Sequence, residues 1–424
     1  MRAKKSFYDS KTRKAYAKGQ EIEATGAHAR RLRRMGLATG KPEEGEYVIR
    51  RMCVGTRGQV YKSGLSPGTE TSATYRYKYT AGCDCYDPAL VFGNFRAEIG
   101  GDLPGDNDIT VKASIEYTAP NGSTLYFPVY FGQERSTVIK PGAIIESDPL
   151  ALTLPKGVVF YVRTYVSVAS LGQKWPVGLT TIAANGDQKA AGSDATAGAA
   201  MSNIFEFGYH PILITGIQSD PVPTILMVGD SIVAGQGDSP NDMGYLVRAL
   251  NGPFGNYPYT NIARQGTEAD SLVNKTDRIR IMLAKYHTHA VVNYGTNDIN
   301  NAVALATKQS YVVALCEELR MRGLDVWHVT CTNRTTSTDS WATTGNQTPV
   351  QYFEAGANSK RAQWNAWIRS MPAHIDGYFD VADALETARD SGIWKAGKTA
   401  DGVHPNQSGF IDAAAAIDFS KFLI

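Results

Sequence analysis

The chain has 424 residues, of which 43% are hydrophobic and 20% charged, and its formal net charge is +2. This composition is that of an ordinary globular protein and excludes a collagenous, fibrous or intrinsically disordered chain. The length predicts two or three domains, each able to bury its own core. No apolar run approaches the roughly 18 residues of a membrane helix, and the first residues lack the apolar core of a signal peptide. We therefore expect no membrane association and no Sec-type export.

The net charge conceals a strongly basic beginning of the chain. Residues 1–36 contain eleven Lys and Arg but only three Asp and Glu, so the remainder of the chain is net acidic. Leu32 and Met35, in the run AHARRLRRMG, recur at helical spacing, which favours a solvated basic helix face over a nucleic-acid site. We expect no nucleic-acid partner.

The cysteines predict reduced thiols. Their number is odd, and the Cys83-Asp-Cys85 pair leaves almost no loop for a disulfide to close. No second Cys/His pair lies at zinc-finger spacing, so we predict no structural metal. The five residues are Cys53, Cys83, Cys85, Cys316 and Cys331.

Residues 46–219 are predicted to form strands. Alternation of apolar and polar residues marks the runs SATYRYKYT, ITVKASIEYT, STLYFPVYF and VVFYVRTYVSV, and Pro- and Gly-containing turns separate them. Short turns without intervening helices favour an antiparallel, jelly-roll-like β-sandwich. The Ala- and Gly-rich stretch 183–202 predicts a long loop or flexible insertion. Residues 1–45 are interpreted as a separate small basic module.

From residue 220 to residue 424 the pattern changes to alternating strands and helices. Five apolar segments, ILMVGD, TNIARQG, AVVNYG, DVWHVTCTN and HIDGYFDV, are separated by segments of helical length. This alternation predicts an α/β domain built on a doubly wound parallel sheet of five strands. In such sheets the loops at the carboxyl ends of the strands hold the functional groups, so reactive residues are expected there.

Reactive side chains occur in four of these loops. Ser231 follows the first strand, where a hydroxyl can face the crevice as a nucleophile. Gly266, after the second strand, allows a backbone N–H to approach a ligand, and the amide of Asn297, after the third, can donate to an oxyanion. Asp401 lies three residues before His404, so its carboxylate can orient an imidazole that accepts the Ser231 proton. Taken singly, each residue could equally be a helix cap, a turn residue or a surface group.

Together these motifs resemble those of the SGNH hydrolases, also called GDSL esterases. The resemblance extends from Ile225 to the C-terminus and comprises the blocks Gly229-Asp230-Ser231-Ile232, Gly266, Gly295-Thr296-Asn297-Asp298 and Asp401 to His404. It implies a flavodoxin-like sheet, with Ser231 as nucleophile and His404 as a base oriented by Asp401. It also implies an oxyanion hole formed by the N–H groups of Ser231 and Gly266 and by the Asn297 amide. The implied reaction needs no metal or organic cofactor.

Three other features are not interpreted as signatures of a nucleotide site, an α/β-hydrolase or a metal site, and residues 392–399 are predicted to form one wall of the ester site. Residues 392–399, GIWKAGKT, fit the phosphate-loop expression, but the segment before them has a helical pattern, and Gly402 and Pro405 interrupt the segment after them. The order Ser, Asp, His also occurs in α/β-hydrolases, whose nucleophile elbow requires Gly where this chain has Val233. His287 and His289 are interpreted as surface residues, not metal ligands.

The predicted substrate is a short-chain carboxylic ester, above all an O-acetyl group on a carbohydrate. The loop 333–349 and the segment near residue 394 are polar with isolated tryptophans, so Trp341 and Trp394 are candidates for stacking on sugar rings. A lipase or thioesterase that acts on longer acyl chains is the alternative within the same family.

A rival hypothesis comes from the first 45 residues. The run FYDSKTRKAYAKGQEIEATGAHARRLRRMGLAT resembles a short module of bacteriophage-encoded proteins. This resemblance would suit a virion or surface protein that adheres to carbohydrate and whose esterase half is vestigial. The expectation that residues 46–219 bind carbohydrate rests on analogy with sandwich domains found beside esterases. The complete set of Ser, Gly, Asn, Asp and His favours an active esterase, located in the cytoplasm or in a phage virion.

Overall fold

The computed structural model describes residues 2–3, 7–9, 14–18, 20, 38–39 and 50–422, except for residues 120, 241–242, 252–256 and 276–277. The predicted basic helix face around Leu32 and Met35 lies outside the described residues, as does most of the predicted module 1–45. The described part of this region contains two short antiparallel strand pairs. They are Arg2–Ala3 with Ala38–Thr39, and Phe7–Asp9 with Lys14–Tyr16.

The following part of the chain forms two larger antiparallel sheets. In spatial order, the strands of the first sheet are Thr124–Pro128, Ile109–Thr118, Val159–Ser167, Ser72–Thr80 and Gln188–Ala191, and Thr137–Ile139 also pairs with Ile109–Thr118. Those of the second are Ile144–Glu146, Cys85–Gly93, Leu213–Gln218 and Met52–Cys53, with Thr153–Leu154 paired to Cys85–Gly93. The antiparallel β-rich architecture predicted for this region is confirmed.

The alternating sequence of Ser72–Thr80 shows why these segments form strands. Tyr75, Tyr77 and Tyr79 are buried on one face, whereas the intervening Arg76 and Lys78 are partly exposed. Side chains of a strand point to opposite faces in turn, so this spacing directs three aromatic rings into the core.

The prediction of a long loop at 183–202 is wrong in part. Gln188–Ala191 is a strand that pairs with Ser72–Thr80 and extends the first sheet. The following turn is anchored by Arg163, which donates hydrogen bonds to the backbone carbonyls of Ala195 and Ala199 at 2.8 and 2.7 Å. Small side chains give no alternation signal, but the sheet edge supplies backbone partners that order the segment.

The predicted parallel sheet of the α/β region is present. Its strands are β1 Gly58–Gln59, β2 Ile225–Gly229, β3 Tyr259–Asn261, β4 His289–Asn293, β5 Asp325–Val329 and β6 Gly377–Phe379. The spatial order is β6-β5-β4-β2-β3-β1, and every neighbouring pair is parallel. The order reverses direction beside β2, and this is the place where such sheets form a crevice.

The sheet has six strands where five were predicted. The additional strand, β1, comes from the N-terminal β-rich region and pairs with β3 at the sheet edge. Tyr259 donates to the Gly55 carbonyl and Val60 donates to the Asn261 carbonyl, each at 3.2 Å. A strand of two residues carries no periodic signal, so only the folded chain shows it.

Five α-helices accompany the sheet within the described residues. They are α1 Gly244–Leu250, α2 Leu305–Met321, α3 Lys360–Arg369, α4 Val381–Leu385 and α5 Gln407–Ala415. The helical segment predicted after Gly266 is instead two 3₁₀ helices, Ala269–Leu272 and Ile279–Tyr286. No helix in the described part of the chain is long and apolar enough to span a membrane.

A β-hairpin, Phe95–Glu98 paired with Gly101–Pro104, joins the β-rich region to the α/β region. Its Asp102 carboxylate lies 3.0 Å from Nε of Arg280 and accepts a hydrogen bond from the Arg280 backbone N–H at 2.7 Å. Both side chains are fully buried. A buried guanidinium needs its counter-charge, so this pair fixes the hairpin against the 3₁₀ helix that contains Arg280.

We predict that Asp102→Ala lowers the free energy of unfolding by about 3–5 kcal/mol, because it leaves the Arg280 charge buried and unpaired. Urea denaturation followed by circular dichroism measures this loss. The matched control is Asp108→Ala, which breaks the exposed ion pair with Lys140 and is expected to cost at most about 1 kcal/mol. Equal losses in the two variants would contradict the role assigned to the buried pair.

Candidate active site

The predicted reactive residues lie in loops at the carboxyl end of the parallel sheet. Ser231 comes two residues after β2, in a tight turn in which Gln236 N–H donates to the Ser231 carbonyl at 3.0 Å. Gly229, the last residue of β2, has no room for a Cβ, which would lie 2.6 Å from the Asn293 carbonyl oxygen. The chain therefore turns immediately at the strand end and presents Ser231 at the crevice.

Ser231, His404 and Asp401 form a continuous hydrogen-bonded set. His404 Nε2 lies 2.8 Å from Ser231 Oγ, and His404 Nδ1 lies 2.7 Å from Asp401 Oδ2. Ser231 is 6% exposed and the His404 side chain 13%, whereas the Asp401 side chain is 52% exposed. The hydroxyl thus lies at the floor of the site and the carboxylate at its rim.

The Asp401 carboxylate is held as an anion by its own loop. Burial would raise its pKa, but the hydrogen bond with the His404 ring and those from the backbone N–H groups of His404 and Val403 keep the pKa below its ordinary value. The two backbone N–H groups donate to Oδ1 at 2.8 and 2.9 Å, which leaves Oδ2 for the imidazole. An ionised partner on Nδ1 keeps the proton on that nitrogen and leaves Nε2 free to accept another.

The loop that contains Asp401 and His404, which we call the histidine loop, is held by hydrogen bonds with several residues. Thr399 Oγ1 accepts from Gly402 N–H at 2.9 Å and donates to the His404 carbonyl at 2.7 Å. The Gly402 carbonyl also accepts from Thr335 N–H at 3.0 Å and from the Trp394 indole at 3.1 Å. This bracing fixes the imidazole before any ligand binds.

Gly237 and Gly402 permit close approaches that any side chain would prevent. A Cβ on Gly237 would lie 2.7 Å from the Pro405 carbonyl oxygen and 3.2 Å from His404 Cβ, and its φ is +93°. A Cβ on Gly402 would lie 1.9 Å from the Thr335 carbonyl oxygen. The turn after Ser231 therefore packs directly on the histidine loop. Gly237 was not predicted from the sequence, where its only signal is its place in a Gly-rich turn after Ser231.

Gly266 and Asn297 are tied to the strand end that precedes Ser231. Thr267 Oγ1 lies 3.3 Å from the Gly229 carbonyl, and Arg264 N–H donates to the same carbonyl at 3.1 Å. Asn297 Nδ2 donates to the Thr267 carbonyl at 3.1 Å. Gly266 is exposed and has a φ of +77°, a left-handed conformation that favours glycine.

The orientation of Asn297 leaves one of its two amide hydrogens available to a ligand. One amide hydrogen is used by the Thr267 carbonyl, and the second can serve a ligand because Asn carries two hydrogens on Nδ2. The neighbouring Asp298 accepts from the N–H groups of Gly295 and Ala269, both at 2.9 Å, and so fixes the loop to its neighbour. Burial raises the pKa of Asp298 to about 7, and the Ala269 N–H opposes this rise.

The structure places the two predicted sugar-stacking tryptophans differently. Trp394 is fully buried, so the expectation that its ring forms a stacking surface is corrected. Trp341 is partly exposed, and its indole donates to Thr335 Oγ1 at 2.9 Å. Its ring lies against Gly402, where a Cβ would be 2.7 Å from ring atom Cζ2. Trp341 is therefore adjacent to the histidine loop and open to solvent.

The structure also shows where residues 392–399, His287 and His289 lie. Residues 392–399 do not follow a strand or open a helix, and Thr399 instead braces the histidine loop. His287 and His289 are buried, not at the surface as expected; His287 hydrogen-bonds to the Leu283 carbonyl and to Thr260 Oγ1. All five cysteines are buried free thiols, and no cluster of three or more His, Cys, Asp or Glu that could hold a metal occurs among the described residues.

Asp230, next to Ser231, is a buried carboxyl group. Its Oδ1 accepts from Ile232 N–H at 2.9 Å, whereas its Oδ2 accepts no hydrogen bond from any residue that the structure describes. Burial raises the pKa of Asp230 to about 6, against the opposing effects of the Ile232 N–H and the charge of His404. The native state therefore binds this proton more tightly than the unfolded chain does.

The α/β region is similar to known proteins. Residues 227–410 match the model of the GDSL-like lipase/acylhydrolase family. Among solved structures, an acetylxylan esterase from Geobacillus stearothermophilus is 16% identical with a TM-score of 0.34, over 46% of this chain and 91% of that one. A lipase/acylhydrolase from Enterococcus faecalis is 15% identical with a TM-score of 0.34, over 48% of this chain and 98% of that one. No curated protein matches the chain.

We predict that Asp230→Asn gains stability relative to wild type as the pH rises from about 4 to 7. The raised pKa means that wild type loses stability as the pH rises from the ordinary value of the carboxyl through about 6. The amide cannot ionise, so the free energy of unfolding of the variant, relative to that of wild type, should rise by up to about 3 kcal/mol over this pH range. Urea denaturation at pH 4, 5.5 and 7.5 measures it. A difference that stays constant over this range would contradict the prediction.

Proposed function

We propose that this chain is a serine esterase that hydrolyses short-chain carboxylic esters. The match of residues 227–410 to the model of the GDSL-like lipase/acylhydrolase family supports this proposal. The observation that carries the proposal is the contact of His404 with both Ser231 and Asp401, at 2.8 and 2.7 Å. A serine hydroxyl is a weak nucleophile at neutral pH, and an adjacent imidazole held by a carboxylate is the arrangement that activates it.

In the first half of the reaction, Ser231 Oγ attacks the ester carbonyl carbon while His404 Nε2 takes the hydroxyl proton. The carbonyl π bond becomes the lone pair of an oxyanion, and the Asp401 carboxylate stabilises the imidazolium. When the tetrahedral intermediate collapses, the bond to the alcohol oxygen breaks and His404 returns its proton to that oxygen. The alcohol leaves and the acyl group remains bound to Ser231.

In the second half, water takes the place of the alcohol. His404 accepts a proton from the water as its oxygen attacks the acyl carbon, and a second oxyanion forms. Collapse breaks the bond to Ser231 Oγ, which recovers the proton from His404. The products are a carboxylic acid and the original enzyme, so the cycle consumes only water and ester.

The oxyanion is stabilised by donors from three loops. We assign this role to the N–H groups of Ser231 and Gly266 and to the free amide hydrogen of Asn297. Their loops are tied together through the Gly229 and Thr267 carbonyls, so the donors need little rearrangement when the charge develops. Preorganised donors of this kind contribute much of the rate enhancement in acyl transfer.

The substrate that we propose is an O-acetyl group on a carbohydrate. The partly exposed Trp341 ring lies beside the histidine loop. We place the departing alcohol there, where the ring would offer it an apolar face. The surrounding loop is polar: Asp339 Oδ2 accepts from Thr343 Oγ1 at 2.6 Å and from Asn346 Nδ2 at 3.0 Å. An aromatic face within polar surroundings is typical of sites that bind sugars, whereas an acyl tunnel for lipids is apolar.

We predict that wild type releases acetate from acetylated oligosaccharides and that Ser231→Ala releases none above background. Acetate release is measured enzymatically, and a fluorophosphonate serine probe reports whether wild type alone is labelled. Circular dichroism of the Ala variant verifies that its fold is retained. Hydrolysis of equal rate in both proteins would exclude Ser231 as the nucleophile, and absence of hydrolysis and of labelling in wild type would overturn the proposed function.

We predict that Asn297→Ala lowers kcat for a simple acyl ester by about 10²–10³-fold, with a smaller effect on KM, because its amide would act in the transition state. The matched control is Asn300→Ala, which removes an exposed amide three residues further along the same loop. The control should retain wild-type kinetics. If Asn297→Ala also retained them, Asn297 would not belong to the oxyanion hole.

A further inference from the structure

A side chain of the β-rich region lies at the candidate active site. The turn of the hairpin Phe95–Glu98 and Gly101–Pro104 begins with Ile99, and Ile99 contacts the loop of Gly266. A Cβ on Gly266 would lie 3.1 Å from Ile99 Cδ1 and 3.3 Å from its Cγ1. Ile99 is nevertheless 56% exposed. A branched apolar group is therefore both adjacent to the predicted oxyanion donor and accessible to a ligand.

Arg264 holds the hairpin tip at this position. Its Nε donates to the Ala97 carbonyl at 2.9 Å, and its Nη2 lies 3.2 Å from the Glu98 carboxylate. The backbone N–H of the same arginine donates to the Gly229 carbonyl at 3.1 Å, at the end of the strand that leads to Ser231. Arg264 thus fixes Ile99, Gly266 and the end of β2 relative to one another.

The base of the hairpin is equally constrained. Phe95 is fully buried and packs edge-on against Tyr61 with ring centroids 6.1 Å apart. Asn94 Nδ2 donates to the carbonyls of Asn107 and Ile139 at 2.8 and 2.9 Å. Because the hairpin is fixed at its base and near its tip, Ile99 is held beside Gly266.

We infer that Ile99 is a specificity-determining residue that forms the wall of the acyl subsite and favours short acyl groups. The inference rests on the proposed function. The departing alcohol must face His404 Nε2 to receive its proton, so the acyl substituent points away from the imidazole. We place this substituent beside Gly266, where a long acyl chain would meet the branched side chain of Ile99 that contacts this glycine.

The physical effect of Ile99 has two parts. A methyl group that packs on the exposed face of Ile99 removes apolar surface from water, and each buried methylene is worth about fourfold in binding. A longer acyl chain binds less well because the Ile99 side chain blocks its path. The hairpin is fixed at its base and near its tip, so Ile99 cannot move aside. The β-rich region thereby influences the acyl preference of a reaction that takes place in the α/β region.

The test is the acyl-length profile of Ile99 variants. kcat/KM is measured on nitrophenyl esters from acetyl to octanoyl, which hold the alcohol constant. Ile99→Ala should raise the hexanoyl-to-acetyl ratio of kcat/KM by about tenfold, and Ile99→Trp should lower it by a similar factor. A second series holds the acetyl group constant and varies the alcohol; its profile should be the same in all variants. A change confined to the alcohol series would overturn the acyl-side assignment.

The matched control is Leu103→Ala. Leu103 lies on the same hairpin and is 42% exposed, but no described contact joins it to Gly266. Its acyl-length profile should equal that of wild type, and the same shift as in Ile99→Ala would overturn the role of Ile99.

A fluorophosphonate probe distinguishes a failure of this inference from a failure of the proposed function. Labelling of wild type at Ser231 together with an unchanged acyl profile in both Ile99 variants would overturn this inference alone. Absence of both labelling and hydrolysis in wild type would overturn the proposed function and this inference together.

Discussion

The hydrogen bond between His404 Nε2 and Ser231 Oγ joins two residues that are 173 positions apart in the sequence. Neither side chain can secure this contact alone, since both project from loops. Ser231 is presented by the abrupt end of β2, and His404 by a loop that Thr399 Oγ1 and the Trp394 indole hold in place. Gly237 allows the two loops to touch. These contacts together hold Ser231 Oγ within hydrogen-bonding distance of His404 Nε2.

The α/β region does not form this site independently of the residues that precede it. The edge strand β1 belongs in sequence to the β-rich region, and the hairpin anchored by Asp102 and Arg280 reaches the loop of Gly266. Arg264 connects that hairpin to the end of β2. The regions are thus joined by buried charge, by backbone pairing and by the contact between Ile99 and Gly266.

The sequence was sufficient to predict the parts of this protein that depend on local pattern. Strand alternation predicted the antiparallel sheets, and four short motifs at strand ends predicted that Ser231, Asp401 and His404 would meet. Long-range contacts that no motif marks were not predictable. The burial of Trp394, the strand at Gln188–Ala191 and the two-residue β1 are decided by distant partners that local composition does not reveal. Ile99 gave no signal, because a single isoleucine in a hairpin turn has no distinguishing spacing.

The parallel pairing of β1 with β3 bears on how this chain can be divided. A fragment that began near residue 220 would lack β1, and β3 would then expose a row of unpaired amides and carbonyls. Unpaired backbone groups at a sheet edge can pair with strands of other molecules, so such a fragment is expected to associate. Excision or grafting of the α/β region would therefore have to retain β1 or provide a substitute that covers the same sheet edge.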